Sequence, residues 1–209
     1  VLDVVYNHLG PEGNYLHAFG PYFTDHYRTP WGDAVNFDGP DSDPVRHFFV
    51  SNALYWITEY RIDALRLDAV HGIYDFSARH ILQELQQVVE HRSVGLGRPV
   101  YLIAESDLND VRLINPQEQG GFGLAAQWCD DFHHSLRTLL TGDRRGYYVD
   151  YGSFAQLAKA YSDGFVLDGC YSGFRRRCHG SSSAAVPPCC LVVCSQNHDQ
   201  IGNRARGER

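Results

Sequence analysis

Arg61-Ile-Asp-Ala-Leu-Arg-Leu-Asp-Ala-Val-His71 seats two ionic side chains, Arg66 and Asp68, in an otherwise apolar run. Alternate residues of a β-strand point to the same side, so the guanidinium and the carboxylate are expected to share one face. A carboxylate in an apolar strand is costly unless a cation or a ligand engages it. Asp68 is therefore either a member of a structural ion pair or a working group. Its company favours work. Asp3 and His8 accompany an apolar strand over residues 1–6, Glu105 ends Val100-Tyr-Leu-Ile-Ala-Glu-Ser106, and His198-Asp199 closes Leu191-Val-Val-Cys-Ser-Gln-Asn197. Four predicted strands thus end in an acid or an imidazole.

Strand-like and helix-like patterns alternate along the chain, which predicts a parallel α/β architecture. The aromatic, Gly- and Pro-rich segment 9–42 is too long for a plain connection and is expected to lie over the active-site face. Asp43-Pro44 opens a helix with Val45, Phe48, Phe49, Leu54, Trp56 and Ile57 near one face. Ser77 is the expected cap of the next helix, whose apolar stripe is Ile81, Leu82, Leu85, Val88 and Val89. A strand over 125–132 leads into a short helix, Ser153 opens another, and 164–188 reads as an exposed excursion. Polar clusters at one strand end fit a TIM (β/α)8 barrel, whose active site sits at the C-terminal face. A doubly wound sheet is the alternative, but no GxGxxG follows a strand and acids follow every strand rather than one switch point. A whole barrel takes about 250 residues. Residues 1–209 are therefore expected to form an incomplete catalytic domain, a partial barrel of about five βα units truncated at both ends. The absence of Met and the start inside a strand pattern agree with that expectation. An open barrel exposes sheet edges, so these residues alone are expected to be poorly soluble or inactive.

Composition excludes several functions. A net charge of -7, with only the short run Arg175-Arg176-Arg177 as a basic cluster, argues against a nucleic-acid partner. Apolar runs are strand-sized, short of the roughly 20 residues that cross a bilayer, so no membrane partner is expected. The six cysteines (129, 170, 178, 189, 190, 194) form no CxxC pair and no His lies at metal spacing, so no metal site is expected. Unpaired thiols in a reducing compartment, the cytoplasm, are the simpler reading. No cofactor is implied, because acid, base and nucleophile side chains suffice for the chemistry below.

Three carboxylates from separate strand ends can surround one bond, one attacking carbon, one protonating the departing oxygen and one steadying developing positive charge. Glycoside hydrolysis uses that set, and its retaining form passes through a covalent glycosyl intermediate. Asp68 suits the nucleophile because Arg66 shares its face. Glu105 follows Ile103-Ala104, apolar surroundings that favour the protonated acid.

Asp3-Val-Val-Tyr-Asn-His8, Leu65-Arg-Leu-Asp-Ala-Val-His71, Ile103-Ala-Glu-Ser-Asp107 and Gln196-Asn-His-Asp-Gln200 resemble, in order, the four short sequence regions of the α-amylase family. The resemblance implies that Asp68 is the nucleophile, Glu105 the general acid/base and Asp199 the transition-state stabiliser. Arg66, His8 and His198 would contact sugar or position the nucleophile, Asp3 would be mainly structural, and Asn7 would be a calcium ligand in only some members. The text around the motifs, such as Thr29-Pro-Trp-Gly-Asp-Ala-Val-Asn-Phe-Asp-Gly39 and Gln196-Asn-His-Asp-Gln-Ile-Gly-Asn-Arg204, resembles members that cut the α-1,4 bond beside a terminal trehalose. Their substrate, malto-oligosyltrehalose or a related α-glucan, implies a link to a malto-oligosyltrehalose synthase. By the same likeness His71, Asp130, Asp131, His133, His134, Gln200 and Asn203 join the sugar-contacting residues. At most one of His133 and His134 is expected to be a ligand, and the Asp130-Asp131 pair also reads as a solvated helix head. Glycogen branching enzymes are the alternative within the family, and a catalytically dead glucan-binding protein the alternative outside it. The latter predicts loss of one acid, and none is lost. Cys129 stands where the family text has Asn, and four cysteines crowd 178–194.

Overall fold

The computed structural model describes residues 1–202, and the chain divides into two compact units. The first takes in 1–106 and 112–127, the second 107–111 and the chain from Trp128 onward.

In the first unit β1 (Leu2–Val4) leads to an antiparallel hairpin of β2 (Phe23–Thr29) and β3 (Gly32–Val35), then to α1 (Asp43–Thr58). β4 (Ala64–Leu67), α2 (Ile81–Leu96), β5 (Tyr101–Ala104) and β6 (Ala126–Trp128) follow. β1, β4, β5 and β6 lie side by side in that order and all run parallel. Every residue of β4 is buried, as a strand covered on both faces requires. Leu65, Leu67, Leu102 and Ala104 share a core with Val45, Phe49, Ala53 and Ile57 of α1 and Leu82, Leu85 and Val89 of α2. The parallel α/β class read from the sequence is the class found.

Several local expectations are corrected. Segment 9–42 contains the β2–β3 hairpin and a turn of 3-10 helix at Leu16–Ala18, so it is not one plain loop. Ser77 does not cap α2: His80 does, its Nδ1 accepting the Leu82 N–H at 3.1 Å. The Ser77 hydroxyl is spent on Asp75 and the Arg79 carbonyl. α2 closes on Gly97, whose φ of 63° only glycine adopts without strain. Arg46, amid the apolar stripe of α1, is buried and clamps Asp75 and Glu84, each at 2.7 Å.

The second unit comprises α3 (Asp131–Thr141), α4 (Phe154–Ser162), a short hairpin of β7 (Tyr171–Ser172) and β8 (Arg177–Cys178), β9 (Leu191–Val192) and α5 (His198–Gly202). Ser153 caps α4 in a full capping box with Gln156, as its position predicts. The excursion 164–188 is not wholly exposed, since Phe165, Val166 and Leu167 are buried. The last strand is only two residues long, and Asp199 lies in a helical turn rather than on the strand. Cys129 is buried and its thiol donates to the Gly164 carbonyl at 3.2 Å. All six cysteines are unpaired. Among the described residues no helix is long and apolar enough to cross a membrane, and no group of His, Cys, Asp and Glu could hold a metal ion.

Candidate active site

Asp68 is the residue after β4, and its N–H continues the ladder by donating to the Val4 carbonyl at 3.0 Å. Glu105 follows β5 in the same way, donating to the Leu67 carbonyl at 2.9 Å. Because the strands are parallel, both carboxylates emerge at one sheet end, as do Asn7 and His8 after β1.

Arg66 is the hub. Its guanidinium is nearly fully buried; Nη1 donates to Asp3 Oδ1 at 2.9 Å and to Asp68 Oδ1 at 2.7 Å, and Nη2 lies 3.8 Å from Glu105 Oε2. Burial opposes its charge, but the hydrogen bond to Asp3 and the fields of Glu105, Asp3 and Asp68 outweigh that and raise its pKa. Ala69 adopts a left-handed backbone, φ 38°, which turns its N–H onto the Glu105 carboxylate. Nucleophile candidate and acid candidate are thus joined twice, through Arg66 and through the residue after Asp68. Burial raises the Glu105 pKa, with Asp68 adding to the rise and the Ala69 N–H, Arg66 and His71 opposing it. That direction agrees with a carboxyl able to keep its proton, although Arg66, a cation not evident in the local sequence around Glu105, works against it.

Asn7 is buried, and its amide donates to the Asp68 carbonyl at 2.7 Å and to Asp68 Oδ2 at 3.0 Å. Its oxygen meets His8 Nδ1. Both ends of this amide are engaged. The sequence carried no signal for this, since an Asn after a strand reads as a turn residue. His8 is half-buried, its pKa lowered by burial against the pull of Asp68, and its ring stacks on Trp31 at 3.7 Å. His71 is exposed in a 3-10 turn after Asp68.

The remaining expected residues belong to the second unit. Asp131 is buried at the head of α3, where its carboxylate accepts from Asn109 at 2.9 Å, the Tyr151 hydroxyl at 2.6 Å, and the N–H groups of Val166 at 2.6 Å and Leu167 at 3.1 Å. His133 is buried between the Tyr148 hydroxyl, at 2.8 Å, and the Ser195 carbonyl. His134 packs among Tyr147, Tyr148 and Tyr151, and burial, His133 and Arg175 lower its pKa to about 3. The reading of the acidic pair as a solvated helix head is corrected for Asp131, which is buried and fully engaged, and both His133 and His134 are packed inside the second unit. Asp130 is half-buried at the helix N-cap position. His198 is exposed and 3.3 Å from the half-buried Asp199, whose N–H donates to Asn197. Gln200 is buried and accepts the Asn197 N–H. Asn203 lies outside the described residues.

A crystal structure from Salmonella typhimurium called an alpha amylase matches all of this chain at 40% identity with a TM-score of 0.90, over 36% of its own length. That likeness sets the class, an α-amylase-type α/β protein. No family model matches the chain. Its sequence is 53% identical over 209 residues to malto-oligosyltrehalose trehalohydrolase of Saccharolobus solfataricus and 54% identical over 211 residues to that of a Rhizobium species, in both cases across 100% of the chain. The chain belongs to the malto-oligosyltrehalose trehalohydrolase family. It spans about a third of these relatives' length, 36% and 35% respectively.

Proposed function

We propose that this chain carries the catalytic carboxylates of a retaining glycoside hydrolase that releases trehalose from malto-oligosyltrehalose. Asp68 attacks C1 of the glucose joined to the trehalose, while Glu105 protonates the glycosidic oxygen and trehalose departs. Water then gives a proton to Glu105 and attacks C1, freeing Asp68 and the shortened glucan. Asp199 steadies the cationic transition state, and His8, His71, Asp130, His198 and Asn203 contact sugar, with Asp131, His133, His134 and Gln200 as supports. Residues 1–209 are part of a catalytic (β/α)8 barrel, about five of its units, with 9–42 over the active-site face. The enzyme works in the cytoplasm, after a synthase that makes its substrate.

The observation that carries this reading is the pairing of Asp68 and Glu105 around one buried guanidinium, with Glu105 pushed toward its protonated form. Retaining enzymes hold nucleophile and acid about 5 Å apart, and sharing one planar cation keeps these two carboxylates near each other. The flanking text Asn197-His-Asp-Gln200 favours the hydrolase over a branching enzyme, for which Ser-His-Asp-Glu is expected. The test is an assay of the full-length protein on malto-oligosyltrehalose. Free trehalose with retained anomeric configuration is expected; branched glucan as product, or no turnover, rejects the reading.

A further inference from the structure

Asp68 is gripped at both carboxylate oxygens, Oδ1 by Arg66 and Oδ2 by Asn7. A carboxylate held at one oxygen can rotate about its last bond, whereas one held at two presents a fixed lone pair to the carbon it attacks. Asn7 can do this only in one orientation of its amide. Its nitrogen faces Asp68, so its oxygen must accept, and the group that meets it is His8 Nδ1. A hydrogen bond there requires His8 to carry its proton on Nδ1, the tautomer this arrangement selects. The other face of the relay is Trp31, whose ring lies flat on the imidazole at 3.7 Å and 11°. Trp31 is held at the tip between β2 and β3: its N–H donates to Thr29 Oγ1, that hydroxyl donates to the Gly32 carbonyl, and Arg28 pairs with Asp33 across the strands. All of these residues belong to the first unit.

We propose that Asn7 is a positioning residue for Asp68, and that Trp31 at the hairpin tip sets it by orienting His8. The proposal rests on the reading of Asp68 as nucleophile. It assigns the hairpin a task beyond covering the site: a hairpin displaced from His8 leaves the imidazole free to turn, the Asn7 amide free to flip and the nucleophile loose.

The test uses Trp31→Ala, Trp31→Phe and Asn7→Ala in the full-length protein. Nitrogen-15 NMR of the imidazoles is expected to show His8 as the Nδ1–H tautomer in the parent and in Trp31→Phe, and as a mixture in Trp31→Ala. On malto-oligosyltrehalose, kcat is expected to fall about 100-fold in Asn7→Ala and about 10-fold in Trp31→Ala, the scale of a misplaced reacting group. Trp31→Phe, which keeps a stacked ring, is expected to restore most of kcat. A purely structural role would lower the folded fraction, and apparent kcat with it, without changing the His8 tautomer of the folded molecules. An unchanged tautomer and unchanged kcat in Trp31→Ala, or a Trp31→Phe as defective as Trp31→Ala, overturns the proposal. The imidazole signal needs no substrate, so failure of the hairpin relay is distinguishable from failure of the trehalose-releasing reading.

Discussion

At Glu105 burial and neighbouring charges pull one carboxyl in opposite directions. Its carboxylate accepts from Ala69 and faces Arg66, yet burial dominates and lifts its pKa above the ordinary value. A raised carboxyl pKa means that the folded protein holds this proton more tightly than the unfolded chain does. The associated stability is fully present below the ordinary carboxylate pKa of 4.5 and is lost as pH rises through the raised one. In the proposed role of general acid, Glu105→Gln should lower turnover by about 100- to 10,000-fold, the usual span for such a group. It should also melt no lower than the parent at pH 7, and the difference between the two should shrink below pH 4. Melting curves across pH check this; a Gln variant that melts far lower at neutral pH contradicts it. Asp68 and Glu105 were legible in the sequence because a charge in an apolar strand is conspicuous. The Asn7 contacts were not, because an amide's partner 61 residues away leaves no local trace.

At the scale of elements, regular structure was read where periodicity and caps agreed. Ser153 opens α4 as expected, and the helix from Asp43-Pro44 is present. Ser77 misled because a histidine three residues on offers its ring nitrogen to the same helix. The β2–β3 hairpin was missed because its turn, Pro30-Trp31, lacks the Asn-Gly or Asp-Gly signal of tight hairpins. Asp131 misled in the opposite sense, for an acid at a helix head reads as solvated but here gathers four donors from two loops and Tyr151. Its removal orphans all four at once. Asp131→Ala should cost about 3 kcal/mol or more, by the penalty for buried donors left unpaired. Asp131→Asn, which keeps an acceptor oxygen, should cost less. Urea denaturation measures both, and a loss in Asp131→Ala below about 1 kcal/mol, a single ordinary hydrogen bond, contradicts the anchoring role.

Over the whole molecule the two units are unequal. The first has a core that runs from Val4 to Leu124 and joins the parallel strands β1, β4 and β5 to α1 and α2. The second gathers Tyr151, Ala160, Val166 and Leu167 with Phe132, and leans on polar anchors such as Asp131. Local opening energies follow buried apolar contact, so amide exchange should be slowest in β4, β5, α1 and α2 and markedly faster in α4 and the 164–188 segment. Deuterium uptake by peptide mass spectrometry checks this, and equal protection in both units contradicts it. The parallel α/β class was legible because strand ends and helix stripes alternate, whereas the two-unit division left no mark in composition. Arg66 has one last consequence. Three acids gather on one guanidinium, so even with Glu105 protonated Asp3 and Asp68 leave a surplus negative charge. A phosphate ester brought within about 6 Å of that surplus meets a repulsion of about 3 kcal/mol per charge at an effective dielectric of 20, roughly a hundredfold in affinity. A phosphorylated ligand is therefore expected to bind at this strand end about a hundredfold more weakly per charge than its uncharged counterpart.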